Sequence, residues 1–255
     1  MISFGWLDRV VRLVIVRHGQ SSNNAAYARH AAASVAAVPQ TTRSAWEYEG
    51  RVPDPPLTDL GVRQAVALGA ALADGRAPFV PTHLYSSLTT RAVQTARPLA
   101  EATGLPVVLR PDLHEVGGIH EFDAATGTRH PRPGATLRAL RAENPAVVPG
   151  PGVMTDEDEP WHGGVEATDE LAVPRAAGLL ADLRAAHGPD DVVVLVSHQY
   201  FAQFLLAPLV GFSGPPWQRF RIDNTAHAHL HLREDGARVA WVNRHDHLAP
   251  SDVTN

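Results

Sequence analysis

Arg17 and His18 stand side by side where an apolar run, Leu13-Val14-Ile15-Val16, gives way to Gly19-Gln20-Ser21-Ser22-Asn23-Asn24. Arg17 supplies a permanent forked cation and His18 a nucleophile or proton carrier, while Gly19 lets backbone approach an anion closely. That set suits phosphate. Further along stand Ser86-Ser87 with Arg91 one helical turn on, Glu115, and His198. One histidine of this set can attack phosphorus while two arginines and the other histidine bind the phosphoryl oxygens. Glu115 can protonate the departing oxygen and then deprotonate the water that hydrolyses the covalent intermediate. The arginines supply the positive charge, so neither a metal nor another cofactor is expected.

These groups are far apart in sequence and need a scaffold that gathers them. The run before Arg17 reads as a buried strand, and His83–Tyr85, Val107–Leu109 and Asp191–Val196 read as others. Helices are expected over Ala25–Ala37, after an N-cap at Thr58, around Arg91–Leu99 with a stop near Gly104, and over 168–187 and 200–210. Gln40–Pro56 reads as a loop whose Trp46 and Tyr48 are packing aromatics. A hairpin pairs 226–232 with 238–243. This alternation predicts an α/β fold, a three-layer α/β/α sandwich with a largely parallel central sheet. In such a sheet the carboxyl ends share one edge, where the polar groups can meet. Val116–Gly164 breaks the rhythm with frequent Pro and Gly, and it reads as an inserted, lid-like segment.

Composition excludes much else. The 255 residues include no cysteine, which removes disulfides, thiolate nucleophiles and iron–sulfur clusters. All 22 basic residues are arginine, so Schiff-base enzymes and P-loop nucleotide sites are excluded as well. A net charge of −5 with mixed signs argues against a nucleic-acid-binding surface. No long uncharged apolar run predicts a membrane span, and Asp8, Arg9 and Arg12 interrupt any signal-peptide core, so a cytoplasmic protein is expected.

Val16-Arg17-His18-Gly19-Gln20-Ser21, with Asn24 just after, resembles the signature of the histidine phosphatase superfamily, the phosphoglycerate-mutase-like fold. Pro56–Ala65, Ser86–Ala96, Asp112–Glu115 and Val196–His198 are similar to its later blocks, in the family's order. The resemblance implies His18 as the phosphorylated nucleophile and Glu115 as the proton donor. Arg17, Arg91 and His198 would complete the phosphate pocket, with hydrogen bonds from Ser21 and Asn24. It also implies one domain over 1–255, with insertions at about 25–52 and 116–164. Gln199 follows His198 in place of the His-Asp pair of the acid-phosphatase branch, which favours the branch of mutases and smaller phosphatases. Gly163-Gly164-Val165-Glu166 looks like a degraded Gly-Gly-Glu-Ser block, leaving Glu166 without a clear role.

The function expected is a metal-independent phosphomonoesterase that acts on a small-molecule phosphate ester through a phosphohistidine. A phosphoglycerate-mutase-type phosphotransferase is the alternative, and a non-catalytic phosphate-ester-binding module is a third reading. Oligomeric state stays open, a homodimer included. Glu121 and Asp123 compete with Glu115 for the acid role, and His114 and His120 read as flanking or packing residues. The basic block Arg129, His130, Arg132, Arg138 and Arg141 reads as solvated or as a grip for a second anion. His227, His229 and His231, with His245-Asp246-His247, invite a metal but match no known ligand spacing; a polar strand face is the better reading.

Overall fold

The computed structural model describes residues 10–33, 51–123, 125–126, 128–166, 168–212, 219–233 and 236–255. Trp46, Tyr48 and the 34–50 part of the first insertion lie outside the described residues. Five strands run parallel in the order β6 (Val147–Pro149), β3 (Val107–Leu109), β2 (His83–Ser86), β7 (Val192–Ser197) and β1 (Val11–Arg17). Antiparallel β8 (His227–Arg233) and β9 (Gly236–Arg244) complete a seven-stranded sheet. On β1, Val11, Leu13 and Ile15 pack on one face with α5 (Ala172–Ala186) and α6 (Gln199–Leu209). Val14 and Val16 face α2 (Asp59–Ala73), α3 (Thr90–Thr103) and α4 (Leu137–Glu143) on the other. A strand covered on both faces must be apolar at every position, which is why β1 and β7 read as continuous runs. Each such fully buried aliphatic side chain contributes about 1.5–3 kcal/mol by leaving water.

The register brings three strand ends to one level: Arg17 lies opposite Ser197, and Ser86 opposite Val196. The residues next along the chain, His18, His198 and Ser87, therefore emerge together at the carboxyl edge. The loop after β1 is then locked against the start of α2. Thr58 accepts from Gly61 N at 3.1 Å as the N-cap, and its own N–H donates to Gln20 O at 2.9 Å. Gly19 and Gly61 meet backbone to backbone. A Cβ on Gly61 would stand 2.1 Å from the Gln20 carbonyl oxygen, and one on Gly19 would stand 2.5 Å from the Gly61 carbonyl oxygen.

Two segments depart from the sequence expectation. α1 (Ser22–Ala33) starts three residues before Ala25, because Ser21 and Asn24 cap its first turn reciprocally: Ser21 N donates to Asn24 Oδ1 and Asn24 N to Ser21 Oγ. The 116–164 insertion is two structures rather than one. β4 (His120–Asp123) and β5 (Thr128–Pro131) form a separate hairpin, whereas α4 buries Leu137 and Leu140 in the core and β6 extends the main sheet. Only three residues of β6 pair with β3, too short a run to stand out among the surrounding Pro and Gly. Among the described residues no helix is long and apolar enough to cross a membrane.

The histidine-bearing hairpin packs its rings inward. His227 accepts from Trp241 Nε1 at 2.9 Å, and His229 is buried against Trp241 with neither ring nitrogen hydrogen-bonded. Burial, then His247, lowers His227 to about 3; burial, then His231, lowers His229 to about 4; burial, then His245, lowers His247 to about 4. Below about pH 6.5 the unfolded chain takes up these protons while the folded chain refuses them. The contribution to stability is therefore complete above pH 6.5 and lost as pH falls from there toward 4. The urea midpoint is predicted to drop between pH 7.5 and 4.5, and His229→Leu to shrink the drop; an unchanged drop in that variant would remove His229 from the account. Gly61→Ala is predicted to destabilise by about 2 kcal/mol or more, since backbone must move to admit the methyl. A wild-type denaturation midpoint in that variant would refute the interlock.

Candidate active site

The carboxyl edge places His18 and His198 with their ring centroids 5.2 Å apart, and Arg91 from the first turn of α3 reaches both. Arg91 Nε donates to His18 Nε2 at 3.2 Å, and its NH2 group lies 3.2 Å from His198 Nδ1. His18 Nδ1 lies 2.7 Å from the Gly19 carbonyl, to which it can only donate. That bond fixes the tautomer and leaves the lone pair on Nε2, at the face shared with Arg91. By the same logic His198 accepts at Nδ1 and donates from Nε2 to Ser87 Oγ at 3.0 Å. All three side chains are buried.

Arg17 lies beneath, its NH1 group donating to the Ile222 carbonyl at 2.7 Å and to Asn255 Oδ1 at 2.9 Å. The loop 222–225 supports the site from below. Thr225, in the left-handed region at φ 57°, donates its N–H to the Arg17 carbonyl, and Asn224 Nδ2 donates to the His18 carbonyl at 3.0 Å. Gln64 ties Gln20 N to Asp252 O and Thr254 Oγ1, so the end of the chain is stitched to the same loop.

Charge sets the protonation of this cluster. Burial lowers Arg17 to about 10, so it stays charged at neutral pH; Glu115 and Asp223 oppose that shift. Burial also lowers Arg91, with Asp54 and then Glu115 opposing. Asp54 Oδ1 stands 3.5 Å from Arg91 NH1, and the same carboxylate accepts from Thr90 N and Oγ1 at the start of α3. Burial first, then the charges of Arg91 and Arg17, hold His18 well below the ordinary imidazole range. Burial, Arg91 and His18 do the same to His198. Both imidazoles are therefore neutral at pH 7, each with a nitrogen lone pair turned to Arg91.

Glu115 is fixed by three backbone donors: Val116 N at 2.9 Å, and Tyr200 N at 3.2 Å and Phe201 N at 2.8 Å in the first turn of α6. The segment that carries it is clamped by Arg175, whose NH1 group donates to the Asp112 and His114 carbonyls at 2.8 and 2.9 Å. Arg175 pairs with buried Glu166 and lies 4.0 Å over the Phe201 ring, and Glu166 accepts from Gly117 N at 3.0 Å. Glu166 thus has a place in the structure that its departures from the family block concealed.

The structure brings His18, Arg17, Arg91, His198 and Glu115 into one electrostatic neighbourhood and leaves their competitors outside it. Glu121 pairs with Arg132 on the exposed hairpin, and Asp123 accepts from Ala125 N and Thr126 Oγ1 in its turn. Arg138 and Arg141 pair with Asp158 and Glu157, which ties the end of the basic block to the acidic block of the second insertion. Ser21 and Asn24 are buried beside the loop and bonded to one another, and the Asn24 amide nitrogen has no partner among the described residues. Sequence reasoning missed Asp54, Gln64 and Arg175. Asp54 and Gln64 sit just before and inside the Pro56–Ala65 block, a signal that could have marked them; Arg175 lies on a helix without a motif.

The family model of the histidine phosphatase superfamily (branch 1) matches residues 40–245. A glucosyl-3-phosphoglycerate phosphatase of Mycolicibacterium vanbaalenii is 30% identical over 243 residues, 92% of this chain and 91% of its own. A probable phosphoglycerate mutase of Yersinia pestis is 26% identical over 191 residues, 71% of this chain and 75% of its own. Among solved structures, a mycobacterial glucosyl-3-phosphoglycerate phosphatase with inorganic phosphate is 25% identical, with a TM-score of 0.55, over 93% of this chain and 99% of the other. A phosphatase fold from Escherichia coli, 23% identical with a TM-score of 0.57, covers 94% of this chain and 100% of its own. The chain belongs to branch 1 of the histidine phosphatase superfamily.

Proposed function

We propose that this protein is a metal-independent phosphomonoesterase in which His18 carries the phosphoryl group. The observation that carries the reading is the buried bridge of Arg91 between two neutral imidazoles, with the His18 Nε2 lone pair directed at Arg91, where a phosphoryl group would be held. His18 Nε2 attacks phosphorus and the ester P–O bond breaks. Glu115 gives its proton to the departing oxygen, then takes one from the water whose oxygen attacks phosphorus as the P–N bond breaks. Arg17, Arg91 and His198 hold the phosphoryl oxygens, with Ser21 and Asn24 at the start of α1 contributing hydrogen bonds. In-line transfer of this kind is mostly positioning plus electrostatic stabilisation, which the two arginines supply.

Hydrolysis is favoured over mutase action because the relative with the longer and closer match is a phosphatase. The full set of reactive groups speaks against a mere binding module. That relative makes a glycosylated phosphoglycerate the first ester to try. We further read the chain as one cytoplasmic domain acting on a small-molecule ester, without nucleic acid or membrane. The seven-stranded sheet that runs from β1 to β9 supports a single domain, and the mixed charge supports the absence of nucleic acid. Cell fractionation checks the compartment.

Phosphate release from a panel of esters, with chelator present, tests the chemistry. His18→Ala is predicted to lower it by roughly a thousandfold or more, and an alkaline denaturing quench of wild type to trap labelled phosphohistidine, whose P–N bond survives alkali and is lost in acid. Near-wild-type release in His18→Ala would overturn the assignment; transfer of the label to a second substrate in place of water would make the enzyme a mutase. Glu115→Gln is predicted to slow poor leaving groups by about 10²–10⁴-fold and good ones far less. Arg175→Met, which loosens the Glu115 segment, is predicted to show the same leaving-group bias in milder form. An equal loss on both ester types would separate Arg175 from the acid.

A further inference from the structure

At the opposite, amino-terminal edge of the sheet, three potential metal ligands meet: His83 at the start of β2, His187 just after α5, and Asp191 just before β7. One ligand atom from each lies within 4.8 Å of the others, and among the described residues this is the one histidine–carboxylate group of three that does so. His83 Nδ1 is 3.6 Å from Asp191 Oδ1, and His187 Nδ1 is 3.6 Å from Asp191 Oδ2. Ligands about 2.0–2.2 Å from a tetrahedral ion lie roughly 3.3–3.6 Å from one another. The two histidines stand at that separation from different oxygens of the Asp191 carboxylate, and small side-chain rotations from the 4.8 Å cluster would close the three on one cation.

The hydrogen bonding around the trio fits too. The His187 side chain is 4% exposed, yet its Nδ1 has no hydrogen-bond partner. Its Nε2 lies 3.0 Å from Tyr85 Oη, which can accept the Nε2 proton and so turn the Nδ1 lone pair toward Asp191. A ligating histidine held from its far nitrogen in this way is the usual outer shell of a metal site. Asp191 Oδ2 is anchored by Gly188 N at 2.8 Å. The Thr82 hydroxyl, 2.9 Å from His83 Nδ1, can turn instead to the Val192 carbonyl at 3.3 Å. His83 is 41% exposed, which leaves a path for the ion and room for water as a fourth ligand.

We propose that His83, His187 and Asp191 form a structural site for a divalent transition-metal ion, zinc by ligand type, far from the phosphate chemistry. Two imidazoles with one carboxylate suit zinc and leave too few oxygens for magnesium or calcium. The ion would pin the end of α5 and the entry of β7 to the entry of β2. Equilibrium dialysis against Zn²⁺ with metal analysis, paired with thermal melts, tests this on the full chain. Wild type is expected to take up one equivalent and to gain roughly 5 °C in Tm at a free zinc level about a hundred times Kd. His83→Ala and Asp191→Asn, at partly exposed positions, are each expected to weaken uptake at least ~10-fold, while His245→Ala keeps it. No uptake by wild type at about 0.1 mM free zinc, or undiminished uptake by both ligand variants, would overturn the site.

Discussion

Arg17 and Arg91 lie almost wholly out of water at the carboxyl edge of the sheet, and burying an ion forfeits several kcal/mol of hydration. The neighbouring groups answer that penalty. Asp54 and Glu115 supply opposite charge, the Ile222 carbonyl and Asn255 take donors from Arg17, and two imidazoles take donors from Arg91. Burial first, and then the charge of Arg91, keeps both imidazoles unprotonated, so the arrangement that tolerates two buried cations also suits the nucleophile role proposed for His18. A phosphoryl dianion is the complement of such a place, and the proposed chemistry follows from that complementarity.

Support for the site comes from two directions. The strand register sets the level of His18, Ser87 and His198, while separate polar ties orient them: Gly19 O for one ring, Ser87 for the other, Arg175 with Glu166 for the segment bearing Glu115. The sheet therefore supplies position and the ties supply orientation. This division explains how groups from so many parts of the chain form one centre.

Much of this was readable in the residues. β1 and β7 announce themselves because burial on both faces demands apolar side chains at every position, and the polar residues that end them are conspicuous by contrast. Thr58 and Gly104 mark helix ends through local chemistry alone, a cap for Gly61 N and a φ of 70° respectively. What stayed hidden depends on long-range pairing. The three paired residues of β6 carry no periodicity, Glu166 acquires meaning only opposite Arg175, and Asp54 only once α3 is laid beside its loop. The metal-capable trio was equally invisible, since His83 lies more than a hundred residues from its partners.

The bonds beneath the site have a kinetic side. Arg17 closes on residues 205 and 238 positions away, and the His18 carbonyl on one 206 away. Contacts of such sequence separation bear the full entropy of loop closure and form only after the intervening chain has collapsed. Local helices and the β8–β9 hairpin can assemble early, yet none of them contains the centre. A partly folded chain can thus hold most of its secondary structure and still lack any reactive site, so recovered activity reports the last stage of assembly rather than the first.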